Sequence, residues 1–194
     1  MRLFICTLLS TENQAFYGHH VTDLVARSGG VLRAIPGSSA HLTYAFLGKT
    51  DERELDRVLQ AVRASGDRCR SIRIRLGAPS VLYARATPRL VCASVIDGQV
   101  QLQHLATEVV AELEHRCPNV GVDRSRSLHV TLARFRSHTT RAAARAISGA
   151  LAGDVLATTT RDDWVTRVQV VSSDLTPGGP VYTVNAEIAL KGGA

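Results

Sequence analysis

Hydrophobic positions along the chain alternate between strand-like and helix-like spacing. Residues 71–76 are apolar at every second position, which is typical of a strand with one buried face. From Leu55 to Val62 the apolar residues recur every three or four positions, which predicts a helix capped near Asp51. The predicted strands cover residues 2–9, 41–47, 71–76, 90–96, 128–135, 164–171 and 181–190. The predicted helices cover residues 12–28, 51–65, 99–115 and 139–151.

The mixed order of these strands and helices predicts an α+β fold. Residues 176–180 form a turn by composition, whereas residues 152–163 fit neither period. No low-complexity linker interrupts the chain, so we expect one domain over residues 1–194.

One sequence pattern occurs twice. Residues 41–47 read His-Leu-Thr-Tyr-Ala-Phe-Leu, and residues 129–135 read His-Val-Thr-Leu-Ala-Arg-Phe. The second copy begins 88 positions after the first, both copies lie on predicted strands, and a helical segment follows each. We call residues 41–44 the first motif and residues 129–132 the second motif. The repeat predicts two related halves that each contribute one His-x-Thr strand.

The spacing within each motif places its polar residues on one face of a strand. Positions i and i+2 share a face, so His41 lies beside Thr43, and His129 beside Thr131. An imidazole titrates near pH 6.5, so one histidine can donate a proton while the other accepts one. The threonine hydroxyls can hold phosphate oxygens. If the two strands meet at one cleft, the site therefore suits phosphodiester chemistry.

A structural interpretation competes with this catalytic one. A single His-x-Thr is a weak signal, because a lone histidine in a strand is most often structural; two matched copies are far more specific. We expect the remaining histidines to lie at the surface: His19, His20, His104, His115 and His138. His115 and Cys117 have no second pair at metal-ligand spacing, so we predict no metal and no cofactor.

Composition narrows the class of protein further. The 194 residues carry 23 basic and 17 acidic side chains, a net charge of +6, and every basic residue except Lys49 and Lys191 is arginine. Arginine suits phosphate recognition, so a polyanionic partner is compatible with this charge. The four scattered cysteines favour a reduced, cytoplasmic protein with buried thiols. No apolar run reaches the roughly 18 residues that a membrane helix needs. The phosphate-binding and serine-hydrolase loop motifs are absent.

The paired motifs resemble those of the 2H phosphoesterase superfamily, and within it the RNA 2′,3′-cyclic phosphodiesterases, historically called 2′-5′ RNA ligases. The resemblance covers nearly the whole chain. Residues 2–5 are similar to the family's opening strand, and residues 40–48, ending in Phe-Leu-Gly, to its first motif. Residues 128–134 are similar to its second motif. Residues 173–182, with a Pro-Gly-Gly-Pro turn and a tyrosine, are similar to its closing hairpin.

The resemblance implies a bilobal fold, in which two pseudo-symmetric lobes of antiparallel sheet, with helices outside, surround a V-shaped cleft. It also implies metal-independent opening of an RNA 2′,3′-cyclic phosphate to a 2′-phosphate. Carried over, His41 is the proton donor and His129 the proton acceptor. Thr43, Thr131 and Arg134 bind the phosphate. Run backward, the same groups predict weak 2′-5′ RNA ligation.

Two departures from the family pattern stand out. The family commonly has Arg-Trp before the first motif, whereas here Arg33 precedes Ala34, which removes a side chain able to stack on a base. A proline usually precedes the second histidine, whereas here Leu128 does. Strict alternation also turns Arg134 away from Thr131, so its phosphate role requires a bend or a bulge in the strand.

The substrate is less defined than the chemistry. We expect RNA or an oligonucleotide with a cyclic phosphate end, bound by a monomer that does not associate with membranes. Arginines that could line an RNA path are Arg33, Arg73, Arg75, Arg124 and Arg126, although each suits a solvated surface equally well. Three aromatic residues, Tyr44, Phe46 and Phe135, are expected in the core. Alternatives are a 2H enzyme for 2′-5′ oligoadenylate or ADP-ribose cyclic phosphate, and a non-catalytic RNA-binding module.

Overall fold

The structure is a computed structural model that describes residues 1–125, 127–153, 159–176 and 179–192. Arg126, named above as an RNA-contact candidate, lies outside the described residues. So do Pro177 and Gly178 of the predicted turn, and residues 154–158 of the segment 152–163.

The chain forms strands and helices in mixed order. The strands are β1 (Arg2–Leu8), β2 (Leu32–Ala34), β3 (His41–Lys49), β4 (Ile72–Leu76), β5 (Ser80–Ala84), β6 (Thr87–Asp97), β7 (Asp123–Arg124), β8 (His129–Phe135), β9 (Arg161–Val165), β10 (Arg167–Thr176) and β11 (Gly179–Ala189). The helices are α1 (Thr11–Ala26), α2 (Leu55–Gly66), α3 (Gln99–Arg116) and α4 (Arg141–Ala152). Short 3₁₀ turns cover Gly37–Ser39 and Glu52–Glu54.

The strands build one curled sheet in which the motif strands are central. Its main order is β11-β10-β1-β3-β8-β6-β4-β9, while β2 pairs with β8, β5 with β6 and β7 with β3. All of these strand pairs are antiparallel. The two motif strands, β3 and β8, are therefore direct neighbours, each supported on its other side by a long antiparallel strand.

The core lies between this sheet and the helices. The apolar residues between the motif histidines and threonines, Leu42 and Val130, are fully buried in it. Helices α2 and α3 pack on each other, and α3 also contacts β3. Helix α2 follows its predicted stripe, because Val58 and Val62 are fully buried while Leu55 and Leu59 pack against the core edge. The motif histidines thus lie on a rigid support, with their apolar neighbours anchored beneath them.

The sequence pattern identified the long elements and missed short ones. The predicted α+β class is confirmed, and every predicted helix is present. The strand predicted over 164–171 is instead divided between β9 and β10, with Thr166 between them. Strands β2 and β7 were not predicted, because a strand of two or three residues is too short to show a hydrophobic period. Strand β5 was not predicted because it is largely exposed and buries no alternating apolar face. All four cysteines are buried and unpaired. Among the described residues, no helix has the length and apolarity to cross a membrane.

Candidate active site

The two motifs meet at the centre of the sheet. Strands β3 and β8 pair through Leu42 and Val130, the middle residues of the two His-x-Thr sequences. Because the strands are antiparallel, this register places each motif histidine opposite the threonine of the other motif. The burial pattern of the first six residues is the same in both strands, with half-buried histidine and threonine alternating with buried apolar residues. The repeat seen in the sequence is therefore also a repeat in structure.

A β-bulge lies at the last residue of each motif. Tyr44 has no partner in the ladder between β3 and β1, and Leu132 has none in the ladder between β8 and β6. Each bulge inserts one residue, so the side chains beyond it change face. Phe46 and Arg134, at equivalent positions of the two copies, consequently line the same cleft as the motif residues. The bulge that a cleft-facing Arg134 requires is present.

All five predicted site residues line one cleft. The cleft has a volume of about 470 Å³ and is bounded by β1, β2, β3, β6, β8, β10 and β11. Residues on its walls include His41, Thr43, His129, Thr131, Arg134, Arg33, Phe4, Phe46 and Tyr182. A cleft of this volume has room for a small tetrahedral group, such as a phosphate, beside the opposed histidine–threonine pairs.

Each motif histidine is oriented by the residue two positions before it. The Nδ1 atom of His41 lies 2.6 Å from the carbonyl oxygen of Ser39, and that of His129 lies 3.1 Å from the carbonyl oxygen of Ser127. A carbonyl oxygen can only accept, so a hydrogen on Nδ1 satisfies this contact in both rings. Nε2 is then the atom left to exchange a proton with a ligand. The repeated serine is visible in the sequence, because both copies read Ser-x-His-x-Thr. The prediction of the site did not use it and relied on the histidines and threonines alone.

The surroundings of the two histidines differ. His41 lies 5.1 Å from the ring of Phe4 and 5.7 Å from that of Tyr182, measured between ring centroids. His129 has polar neighbours instead, and the hydroxyl of Ser127 lies 3.0 Å from its Nδ1. Burial lowers the pKa of both imidazoles, and the positive charge of Arg134 lowers both further. Both rings therefore favour the neutral form more strongly than an exposed histidine does.

The cleft concentrates positive charge. Arg33 and Arg134 are directly paired across β2 and β8, and both line the cleft. Like charges at such a position repel each other, and no ion pair neutralises either guanidinium within the described chain. None of the described lining residues is acidic. The cleft is thus complementary to an anionic ligand.

The other arginines named for an RNA path lie elsewhere. Arg73 and Arg75 both bind Asp162, each at 2.7 Å, on the sheet edge formed by β4 and β9. Arg124 donates a hydrogen bond to Thr107 on α3. None of these three arginines lines the cleft. Of the four candidates that the structure describes, only Arg33 reaches the site.

Two of the three aromatic residues expected in the core lie there, and the third lines the cleft. Tyr44 is fully buried and Phe135 packs against the core, as predicted. Phe46 was expected in the core as well, but it is 47% exposed and lines the cleft. The prediction failed because it assumed unbroken alternation, whereas the bulge turns Phe46 outward. Beside Phe4, whose ring centroid lies at 6.3 Å, it forms an apolar wall.

Comparison with known proteins places this chain in a family. A family model described as the 2′-5′ RNA ligase superfamily matches residues 24–174. The RNA 2′,3′-cyclic phosphodiesterase of Thermus thermophilus is 30% identical over 196 residues, covering 99% of this chain and 91% of that protein. The RNA 2′,3′-cyclic phosphodiesterase of Aquifex aeolicus is 27% identical over 155 residues, covering 79% of each.

A solved structure extends the likeness to the fold. The crystal structure of TT0787 of Thermus thermophilus has 26% sequence identity and a TM-score of 0.77, and the match covers 99% of both chains. The family match spans most of the chain and includes both His-x-Thr motifs. This chain belongs to the 2′-5′ RNA ligase superfamily of 2H phosphoesterases.

Proposed function

We propose that this protein hydrolyses 2′,3′-cyclic phosphate ends of RNA to 2′-phosphates, without a metal, by paired acid and base catalysis. The observation that carries the proposal is the placement of two oriented histidines in one cationic cleft, each opposite a threonine. The names of the two curated relatives, both RNA 2′,3′-cyclic phosphodiesterases, support the same reaction class.

In the proposed reaction, His129 is the base and His41 the acid. Nε2 of His129 takes a proton from water as the water oxygen forms its bond to phosphorus. Nε2 of protonated His41 gives its proton to the 3′ oxygen as the bond from phosphorus to that oxygen breaks. One water is consumed, the 2′ ester bond remains, and the two histidines exchange their proton with solvent afterwards. Each proton transfer typically contributes about 10²–10⁴-fold to the rate.

The remaining polar groups of the cleft stabilise the phosphate. Thr43 and Thr131 lie on the same face as the histidines, where their hydroxyls can donate to non-bridging oxygens. Arg134 supplies a permanent positive charge where negative charge accumulates in the transition state. These donors are fixed by the strands, so little reorganisation accompanies the reaction.

The difference between the two histidines supports this assignment of roles. Burial against Phe4 and Tyr182 makes protonated His41 a stronger acid, which favours donation to a leaving oxygen. His129 lies beside the exposed Ser127, on the side from which water can approach. Weak 2′-5′ ligation uses the same groups in the same roles, with the 5′-hydroxyl of a second RNA replacing water as the nucleophile: His129 takes its proton and His41 gives one to the leaving 3′ oxygen.

The apolar wall supports a nucleoside substrate. Phe46 offers an exposed ring next to Phe4, and stacking of a base on an aromatic ring is worth about 1–3 kcal/mol. A 2′,3′-cyclic phosphate requires the ribose 2′ oxygen, so the substrate is RNA and not DNA. The cleft thus pairs an apolar surface for a base with a cationic one for a phosphate.

Turnover of 2′,3′-cyclic nucleotides tests the proposal directly. The purified protein is incubated with 2′,3′-cyclic AMP in EDTA, and the 2′- and 3′-monophosphates are separated by chromatography. We expect only the 2′-phosphate, with a rate unchanged by EDTA. Formation of the 3′-phosphate would reverse the assignment of the leaving oxygen, and inhibition by EDTA would contradict the metal-independent mechanism. If folded protein gives no product, 2′-5′ oligoadenylate is the next substrate to test.

A further inference from the structure

The cleft does not end at Arg134. A second cavity of about 390 Å³ shares this arginine and continues past the end of β8. It is formed by residues 87–89 at the start of β6 and residues 134–139 at the end of β8, and we call it the distal groove. Because the two cavities adjoin at this residue, a ligand that fills the cleft can extend into the distal groove.

The distal groove is cationic and contains no compensating charge. Arg89 and Arg136 line it together with Arg134, both are exposed, and neither forms an ion pair within the described part of the chain. None of its lining residues is acidic. By contrast, the cavity beside β9 is lined by several carboxylates, among them Asp162 and Glu187. Clustered positive charge without a carboxylate marks a surface complementary to a polyanion.

The spacing of the arginines fits consecutive phosphates. Arg134 and Arg136 are two positions apart along the chain, a distance of about 6.8 Å in an extended strand, which is on the scale of one nucleotide. The backbone at Arg136 is fixed, because its N–H donates to the carbonyl of Val31 at 2.9 Å. Its carbonyl accepts from the hydroxyl of Thr139 at 2.7 Å. The exposed guanidinium therefore projects from an ordered backbone.

We propose that the distal groove binds the RNA backbone on the 5′ side of the reacting nucleotide. Arg136 contacts the first upstream phosphate, and Arg89 contacts the chain beyond it. The protein then prefers oligonucleotide ends to free cyclic mononucleotides, which have no upstream phosphate. This inference rests on the proposed function, because it takes the cyclic phosphate to lie at the motif histidines.

The experiment compares two substrates in three variants. Arg136→Gln and Arg89→Gln remove groove charges, and Arg63→Gln removes a charge from the exposed face of α2, outside both cavities. Steady-state kinetics are measured with 2′,3′-cyclic AMP and with a hexanucleotide ending in a 2′,3′-cyclic phosphate. For Arg136→Gln we expect KM for the hexanucleotide to rise roughly 10-fold with kcat unchanged, since one charge-assisted contact is lost. Kinetics with 2′,3′-cyclic AMP, and all kinetics of Arg63→Gln, should match the wild type.

A binding measurement makes the test independent of turnover. The probe is a fluorescein-labelled hexanucleotide ending in a 2′-phosphate, and its affinity is measured by anisotropy at several salt concentrations. Each groove variant should lower the slope of log affinity against log salt by about 0.7, the value for one phosphate contact on a single strand. Circular dichroism of each variant checks the fold.

The outcomes separate the two proposals. Equal losses on both substrates would show that Arg136 acts on the cleft and would overturn the groove assignment, as would unchanged kinetics and binding in both groove variants. A wild type that binds the hexanucleotide through the groove arginines but hydrolyses neither substrate would retain the groove and reject the proposed function. A larger loss in Arg63→Gln than in Arg136→Gln would place the RNA on α2 instead.

Discussion

The two His-x-Thr motifs have equivalent backbones and different surroundings. In both, the histidine Nδ1 lies within hydrogen-bonding distance of a carbonyl oxygen two residues earlier, and a bulge lies at the last motif residue. The rings of Phe4 and Tyr182 lie beside His41, whereas the hydroxyl of Ser127 lies beside His129. The repeated backbone supplies two similar imidazoles, and the packing distinguishes them. In the proposed mechanism, this distinction separates acid from base.

The same contrast extends beyond the bulges. Phe46 in the first copy and Arg134 in the second occupy equivalent positions and face the same cleft. The first copy therefore contributes an apolar side chain to the cleft and the second copy a cationic one. A nucleotide has the same division between its base and its phosphate, so an asymmetric ligand fits a site built on a symmetric backbone.

The largest expected effect comes from removing either histidine. His41→Ala and His129→Ala should each lower kcat for 2′,3′-cyclic AMP by about 10²–10⁴-fold, because each loses one proton transfer. Bis(p-nitrophenyl) phosphate then separates the roles, since its leaving group needs no proton. On this substrate His41→Ala should recover to within about 10-fold of the wild type, whereas His129→Ala should not.

If His129→Ala, and not His41→Ala, recovered activity on bis(p-nitrophenyl) phosphate, then His129 would be the acid and His41 the base. Hydrolysis at near-normal rates in both variants would reject the catalytic pair altogether. Circular dichroism and RNA binding serve as controls, because neither substitution should unfold the protein.

The second prediction concerns Arg134, whose positive charge lowers the pKa of both motif histidines. His129 must be neutral to accept a proton, so the acidic limb of the pH–rate profile, where kcat/KM falls as pH drops, reports the pKa of His129. His41 must be protonated to donate, so the basic limb, where kcat/KM falls as pH rises, reports the pKa of His41. Since burial and Arg134 lower both pKa values, the optimum should lie below about pH 6.5. Arg134→Gln should lower kcat/KM roughly 100-fold and move both limbs to higher pH.

A pH–rate profile of the wild type and the variant checks this prediction. The position of the limbs distinguishes an electrostatic role from a structural one, because misfolding lowers the rate without moving them. Limbs that stay fixed in Arg134→Gln would place its charge too far from the histidines to act on them.

The smallest expected effect tests the equivalence of the motifs. Thr43→Val and Thr131→Val each remove one hydroxyl and keep the shape of the side chain, so each should lower kcat/KM by roughly 10-fold, the value of one hydrogen bond to a charged group. Similar losses are expected because the threonines occupy equivalent strand positions. Losses that differ by more than 10-fold, measured on 2′,3′-cyclic AMP, would show that the phosphate binds to one motif alone.

Much of the site could be predicted because its determinants are local. The spacing of His41 and Thr43 places both on one strand face wherever the strand lies, and the second copy repeats the argument. Arg73 and Arg75 show the limit of the method, since only the position of Asp162, nearly ninety residues later, reveals them as ion-pair partners. Phe46 was misplaced because a bulge depends on the register with the neighbouring strand, and the period of one strand does not contain that register.

The amino-acid sequence alone determined the order of long strands and helices, the duplication of the motif and the residue types able to exchange protons. These features follow from periodicity and from chemistry within a few positions of one another. The tertiary structure decided that β3 and β8 are neighbours, that His41 lies among aromatic rings, and that Arg134 and Phe46 face the cleft. Each of these depends on contacts between residues far apart in the chain. Such contacts are set by strand register and packing, which local patterns do not specify.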